Sequence, residues 1–147
     1  PGNVFGTGKN LPLIAMAHHI PYVATASVAN LRDLEAKVIR AMSMRGARYI
    51  HIHVPCPLGW GSAPADTIKV ARMAVESGLF PLFEAEHGEV TSRYTLRRPV
   101  PVTDYLKLQK RFAHLFGKTP DTETLTSIQA MADRNIRVFG LQGQEAV

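Results

Sequence analysis

Apolar residues recur at helical and strand-like spacings along most of the chain. Asn30, followed by Asp33 three residues later, is typical of a helix N-cap, and Gly46 is placed where that helix would end. The helix between them is amphipathic, with an apolar stripe made of Leu31, Leu34, Val38, Ala41 and Met42. In total the pattern predicts helices over residues 11–19, 30–45, 65–77, 103–116 and 121–135, and strands over 22–28, 49–54, 79–86 and 90–96.

The order of these elements predicts an α/β fold. Strands that alternate with helices favour a parallel sheet covered by helices, and we expect the first three strands to be parallel. His87-Gly88 predicts a hairpin turn that adds the fourth strand. Residues 1–10 are rich in Gly and Asn and predict a loop, whereas residues 136–147 are ambiguous. So few strands are unusual for a doubly wound sheet, which indicates half of a domain.

Composition is that of a globular domain. The chain has 147 residues, of which 46% are hydrophobic and 20% are charged, and it contains one cysteine. No apolar run approaches the ~20 residues needed to cross a bilayer, and no secretion signal opens the chain. We therefore expect a cytoplasmic protein without a membrane partner.

The net charge of +5 raises the question of nucleic-acid binding. The basic residues are scattered singly, which favours a solvated face or a surface for an acidic partner protein. We expect no nucleic-acid partner. The densest basic groups are Arg93, Arg97 and Arg98, and then Lys107, Lys110 and Arg111.

The segment with the strongest candidate chemistry follows the predicted strand 49–54 and runs from Pro55 to Ser62. Ligands of α/β proteins bind beyond the carboxyl ends of the strands, where Cys56 is placed. The prolines on both sides of Cys56 restrict the backbone, and Trp60 is placed to cover a bound group from water. This pattern suits a metal or cluster ligand or a nucleophile, but a buried, inert Cys56 remains an alternative.

Other polar residues are weaker candidates. Thr25 and Ser27, at the end of another predicted strand, could approach a cofactor or substrate. His51 and His53 point to one face of a strand, a spacing that can bind zinc, but no third ligand is evident and hydrogen-bonded histidines are the simpler interpretation. A further acidic group is expected to form the solvated face of the hairpin: Glu84, Glu86 and Glu89.

Four segments of the chain together carry a resemblance to a known family: HHIPYVATASVANLRDL, YIHIHVPCPLGW, VESGLFPLFEAEHGE and VTDYLKLQKRF. In this order they resemble the β subunits of the thiamine-diphosphate-dependent pyruvate and related 2-oxoacid:ferredoxin oxidoreductases, and the similarity extends to about Phe116. The resemblance implies the C-terminal half of a thiamine-diphosphate-binding doubly wound sheet domain over residues 1–98. It also implies a C-terminal helical extension over residues 99–147.

The resemblance also implies cofactors and a role for Cys56. In this family the β subunit binds thiamine diphosphate, Mg²⁺ and a [4Fe–4S] cluster, and coenzyme A is a co-substrate. Cys56 matches the fourth cluster ligand, in a loop resembling PCPxGW. The Gly-Asp-Gly segment and the three earlier cysteines of the family are not in this chain. The implied partners are therefore the N-terminal half of the β subunit, the α-, γ- and δ-type subunits, and ferredoxin.

The substrate and the reaction remain expectations at this point. PCPLGW resembles the pyruvate and branched-chain members, so pyruvate is the leading substrate. The segment is not expected to be active alone, and it offers no secure acid–base residue. Two alternatives stay open: a thiol enzyme that uses Cys56 as nucleophile, and a basic α/β interaction module without catalysis.

Overall fold

A computed structural model describes residues 8–142 of the chain. Most of the predicted N-terminal loop and the last five residues of the tail lie outside this range. The helices are α1 (Leu11–Ala17), α2 (Leu31–Ser43), α3 (Pro57–Trp60), α4 (Thr67–Glu76), α5 (Val102–Lys107) and α6 (Thr122–Phe139), with 3₁₀ helices at Pro64–Asp66 and Lys110–Phe116. The strands are β1 (Tyr22–Ser27), β2 (Arg48–His53), β3 (Phe83–Glu86) and β4 (Glu89–Arg93).

The four strands form one mixed sheet in the order β2-β1-β3-β4. β1 and β2 are parallel, with Ser27 opposite His53 at their carboxyl ends. β3 is antiparallel to β1, and the hairpin predicted at His87-Gly88 joins it to an antiparallel β4. The α/β class is confirmed, whereas the expectation that the third strand is parallel is wrong.

Two long-range hydrogen bonds of the Thr25 side chain accompany the reversal of β3. The hydroxyl of Thr25 donates a hydrogen bond to the carbonyl of Pro81 at 2.6 Å and accepts one from the amide of Phe83 at 2.9 Å. These bonds hold the entry of β3 beside the carboxyl end of β1. Because β3 begins where β1 ends, it must run back along β1.

The helix ends agree with the sequence in part. Asn30 caps α2 by accepting a hydrogen bond from the amide of Asp33, as predicted. The predicted helix 103–116 is divided, because Gln109 is buried and has an extended backbone. Its side-chain amide donates to the carbonyl of Tyr105 at 2.9 Å and so takes the acceptor of the next helical turn.

Two apolar cores include residues of the C-terminal helices, and the first of them joins these helices to the sheet. The first comprises Ala15, Val23, Phe83, Ala85, Leu96, Ile136, Phe139 and Leu141. The second joins α4, α5 and α6 and comprises Val70, Ala74, Val102, Tyr105, Leu106, Leu115 and Ala132. Helix α6 therefore contributes to both cores.

Helix α2 turns much of its apolar stripe away from the sheet. Leu31, Val38 and Met42 are 65%, 42% and 74% exposed, whereas Lys37 and Ala41 are buried. The Lys37 ammonium is satisfied because it donates to the carbonyl of Thr25 at 2.9 Å and to the carboxylate of Asp33 at 2.7 Å. Within residues 8–142, no helix combines the length and the apolar character that a membrane crossing requires.

Candidate functional site

Cys56 lies three residues beyond the end of β2, on the side of the sheet where β1 also ends. It is the N-cap of α3, and its thiol sulfur accepts a hydrogen bond from the amide of Gly59 at 3.4 Å. The amide of Trp60 donates to the carbonyl of Cys56 at 2.9 Å. One helical turn, not predicted from the sequence, therefore holds both the backbone and the sulfur of Cys56.

The thiol of Cys56 is free and exposed, so it is not the buried apolar side chain considered as an alternative. It opens onto a cleft of about 660 Å³ whose walls are mostly apolar. Lys110 is the one charged residue among those that the structure shows lining this cleft, which are Cys56, Pro57, Leu58, Gly61, Ser62, Ala63, Pro64 and Lys110. The side chain of Leu58 is 94% exposed at the rim.

Trp60 does not cover this cleft in the described part of the chain. Its ring lies 5.8 Å from the imidazole of His53, between ring centroids. The guanidinium carbon of Arg111 lies over the indole of Trp60, 4.0 Å from the ring centroid. The indole therefore connects α3 to the sheet and to the C-terminal helices, and the expected cover over the thiol is not observed.

His53 is held in an apolar environment beside the site. Its ring lies 4.9 Å from that of Phe80, and its Nδ1 is buried without a hydrogen-bond partner among residues 8–142. Burial, with smaller contributions from Arg111 and His51, lowers the pKa of His53 to about 4. The imidazole is therefore neutral at neutral pH.

The His51/His53 pair gains no third metal ligand from the described residues. Nowhere between residues 8 and 142 do three or more His, Cys, Asp or Glu side chains meet in a way that could hold a metal ion. His51 is 3.5 Å from the hydroxyl of Tyr49 and packs edge-on against Phe80. The simpler interpretation fits His51, whereas His53 lacks the expected hydrogen bond at Nδ1.

Thr25 and Ser27 are both buried at the end of β1. The Thr25 hydroxyl makes the two bonds to the entry of β3, and the Ser27 hydroxyl accepts from the amide of Ala29 at 3.2 Å. Thr25 also lines a second cleft of about 450 Å³, together with Lys9, His51 and Arg134. Their contact with a cofactor stays a prediction.

Two of the three hairpin glutamates are partly exposed and also contact other side chains. Glu84 accepts a hydrogen bond from the hydroxyl of Tyr22 at 2.6 Å, and Glu86 pairs with Arg40 at 2.7 Å. Burial and the Glu84 carboxylate raise the pKa of Tyr22 above its ordinary value. Only Glu89 is exposed as expected.

Lys110 was missed at the site because no local motif indicates it. It reaches the cleft through the packing of the 3₁₀ helix Lys110–Phe116 against the turn after α3, where its amide donates to the carbonyl of Gly61 at 3.3 Å. Such a contact joins residues 49 positions apart. A spacing rule within one element cannot find it.

The chemistry of the donor set fits one ligand of an iron–sulfur cluster. Iron–sulfur clusters are held by cysteine thiolates, and hydrogen bonds to the sulfur together with solvent exposure set their potentials. Cys56 offers an accessible sulfur, an N–H···S bond from Gly59 and mostly apolar surroundings. The other ligands of such a cluster would have to be thiolates from outside this chain, because Cys56 is its one cysteine.

The fold and the site define an α/β protein with an accessible thiol beyond a parallel strand. Comparison with known proteins makes this class more specific. Pyruvate synthase subunit PorB of Methanosarcina barkeri is 46% identical over 134 residues, which cover 91% of this chain and 45% of the relative. The same subunit of Methanocaldococcus jannaschii is 41% identical over 133 residues, 90% of this chain and 43% of the relative. Ketoisovalerate oxidoreductase subunit VorB of Pyrococcus furiosus is 40% identical over 114 residues, 76% of this chain and 36% of the relative.

The chain belongs to the β-subunit family of the 2-oxoacid:ferredoxin oxidoreductases. It spans about half the length of the curated relatives that it matches. No protein-family model matches the chain.

Proposed function

We propose that this chain forms part of the β subunit of a pyruvate:ferredoxin oxidoreductase, in which Cys56 is one ligand of a [4Fe–4S] cluster. The observation that carries the proposal is the exposed thiol at the end of β2, in a chain that is 46% identical to a pyruvate synthase subunit. The overall reaction converts a 2-oxoacid anion and coenzyme A to an acyl-CoA, CO₂ and a proton, and two electrons pass to ferredoxin. A ketoisovalerate oxidoreductase subunit is also similar, so a branched-chain 2-oxoacid is the second substrate candidate.

The residues of this chain would bind one iron of the cluster and shield the cluster from water. When bound, thiamine diphosphate with Mg²⁺ supplies the electron sink for decarboxylation, and the iron–sulfur cluster accepts electrons singly. The Cys56 thiolate would hold iron, and the amide of Gly59 would stabilise negative charge on the sulfur. The apolar residues Pro57, Leu58 and Pro64 would exclude water from one side of the cluster.

We further infer the division of the chain and its partners. Among residues 8–142 the four strands lie before residue 98 and helices follow it, which supports a sheet domain over 1–98 and a helical extension over 99–147. The partners would be the remaining half of the β subunit, the α-, γ- and δ-type subunits, and ferredoxin. Thr25 and Ser27 would approach the cofactor from the end of β1. A lone free thiol is typical of a reducing compartment, which supports the cytoplasm.

The test uses the intact complex with Cys56→Ala in the β subunit. We expect loss of one cluster's iron, acid-labile sulfide and visible absorbance, and loss of electron transfer to ferredoxin with pyruvate as substrate. Ser92→Ala is the matched control, because this exposed side chain on β4 is truncated in a similar way and lies outside the residues that line the cleft. Full cluster content in the Cys56→Ala complex would refute the proposal.

The exposure of Cys56 also favours a second candidate, a thiol enzyme. An accessible cysteine at an open cleft can attack an electrophile once it is deprotonated. Stoichiometric iodoacetamide labelling of native, iron-free protein, with parallel loss of activity, would support this candidate. Protection of Cys56 from labelling in an iron-containing complex would support the cluster instead.

A further inference from the structure

We propose that Lys110 raises the reduction potential of the cluster that Cys56 helps to hold, by placing a positive charge in the same cleft. The inference rests on the proposed function, since it needs a cluster at Cys56. Lys110 and Cys56 are 54 positions apart in the sequence, but both line the cleft beyond β2. Lys110 would be a positioning residue that acts through the electrostatic field and not as a ligand.

The backbone of Lys110 is fixed against the end of α3. Its amide donates to the carbonyl of Gly61, and Gly61 adopts a left-handed conformation with φ of 65°. A Cβ atom added to Gly61 would lie 2.8 Å from the Cβ of Lys110, so the two segments meet more closely than a side chain permits. The Cβ atom of Lys110 therefore has a defined position next to the turn that holds Cys56.

The neighbouring basic residues are engaged elsewhere. The guanidinium of Arg111 lies over the rings of Trp60 and Phe112, and its Nε donates to the side chain of Gln109 at 2.9 Å. The ammonium of Lys107 lies 5.5 Å from the ring centroid of Phe116. Neither residue lines the cleft in the described structure, which leaves Lys110 as its basic group.

The direction of the effect follows from charge. Reduction adds one electron to a cluster that thiolate and sulfide ligands already make electron-rich. A nearby ammonium stabilises the reduced form more than the oxidised form, and the mostly apolar walls of the cleft strengthen this interaction. Because Lys110 is exposed, salt should screen part of the effect.

The experiment is a redox titration of the intact complex, followed by electron paramagnetic resonance of the cluster whose signal Cys56→Ala removes. We expect Lys110→Met to shift the midpoint potential to more negative values and to lower the reduced-to-oxidised ratio at a fixed potential on the order of tenfold. Lys110→Arg, which keeps the charge, should stay close to wild type. Lys107→Met is the matched control and should leave the potential unchanged.

The outcomes separate this inference from the proposed function. An unchanged midpoint potential in Lys110→Met, with the cluster signal at wild-type intensity, would overturn the role of Lys110 alone. A shift that is equally large in Lys107→Met would also overturn it. A complex whose cluster signals all survive Cys56→Ala would overturn the proposed function itself.

Discussion

The hydroxyl of Thr25 joins β1 to the start of β3 through two hydrogen bonds, and their contribution to stability can be measured. It donates to Pro81 and accepts from Phe83 in a buried setting. We expect Thr25→Val to lower the free energy of unfolding by about 1–3 kcal/mol, because both partners lose a buried hydrogen bond. Urea unfolding of the purified protein measures the change.

Thr91→Val provides the control for this substitution. The Thr91 hydroxyl is exposed and lies 3.4 Å from the carbonyl of Glu84, so its removal should change stability by less than about 0.5 kcal/mol. Equal stability of the Thr25 and Thr91 variants would show that the entry of β3 is held by other contacts.

His53 predicts a dependence of stability on pH. Burial lowers the pKa of the folded His53 to about 4, below the unfolded value, so the folded state resists protonation. Above the pKa of the unfolded state, His53 is neutral in both states and does not affect stability. As the pH falls from there towards 4, the unfolded state binds a proton that the folded state does not, so the free energy of unfolding decreases. Between about pH 7 and about pH 5 this group should remove about 2 kcal/mol from the free energy of unfolding.

The measurement is the difference between wild type and His53→Gln in urea unfolding at the two pH values. The variant should lose less stability on acidification, because its side chain does not titrate. His114→Gln, which replaces an exposed histidine, should behave like wild type. Parallel acid sensitivity of wild type and His53→Gln would contradict the assignment of the pH dependence to His53.

At the scale of elements, the contact between the end of α4 and helix α6 depends on Gly78. Its φ is 78°, and an added Cβ would lie 2.6 Å from Cγ1 of Ile136. We expect Gly78→Ala to destabilise the protein by about 2–4 kcal/mol, because a strained backbone and overpacking act together. Thermal unfolding of wild type and variant tests this, and Gly117→Ala, where the nearest atom is 4.0 Å away, is the control.

An unchanged melting temperature for Gly78→Ala would contradict the close packing of Gly78 against Ile136.

Local patterns predicted the longer helices and the strands, but neither the short helix α3 nor the way in which all elements pack. The Asn30 cap and the His87-Gly88 hairpin are properties of adjacent residues, and both are confirmed. The direction of β3 depends on a bond between residues 56 positions apart, which no local pattern contains. The face of α2 that points away from the sheet could not be predicted for a similar reason. It depends on the burial of Lys37, whose ammonium donates a hydrogen bond to the carbonyl of Thr25 on β1.

The candidate site was predictable to the same extent. Cys56 lies three residues after a strand, so its position beyond the sheet could be predicted, whereas its exposure could not, because a buried Cys56 was an equally open alternative. The orientation of Trp60 and the presence of Lys110 depend on the 3₁₀ helix that begins at Lys110. Those contacts arise only when the C-terminal helices pack against the loop after β2.

At the scale of the whole molecule, the C-terminal helices pack against the sheet and also contribute a residue to the cleft of Cys56. Helix α6 closes both apolar cores, and the segment before it brings Lys110 to the cleft of Cys56. Loss of these helices would therefore expose core residues of the sheet and also change the site. The segment from Lys110 to Phe116 thus contacts the turn that follows Cys56 and helps to hold it in place.

The number of cysteines limits what this chain can hold by itself. A [4Fe–4S] cluster takes four cysteine thiolates, and this chain contains one. We expect anaerobic reconstitution with iron and sulfide to give no stable cluster on the isolated chain, and a stable cluster once the remaining half of the β subunit is added. The mixture with Cys56→Ala chain should fail, because the fourth thiolate is then missing. Stable cluster formation on the isolated chain would mean that other ligands hold the iron, and Cys56 would lose its proposed role.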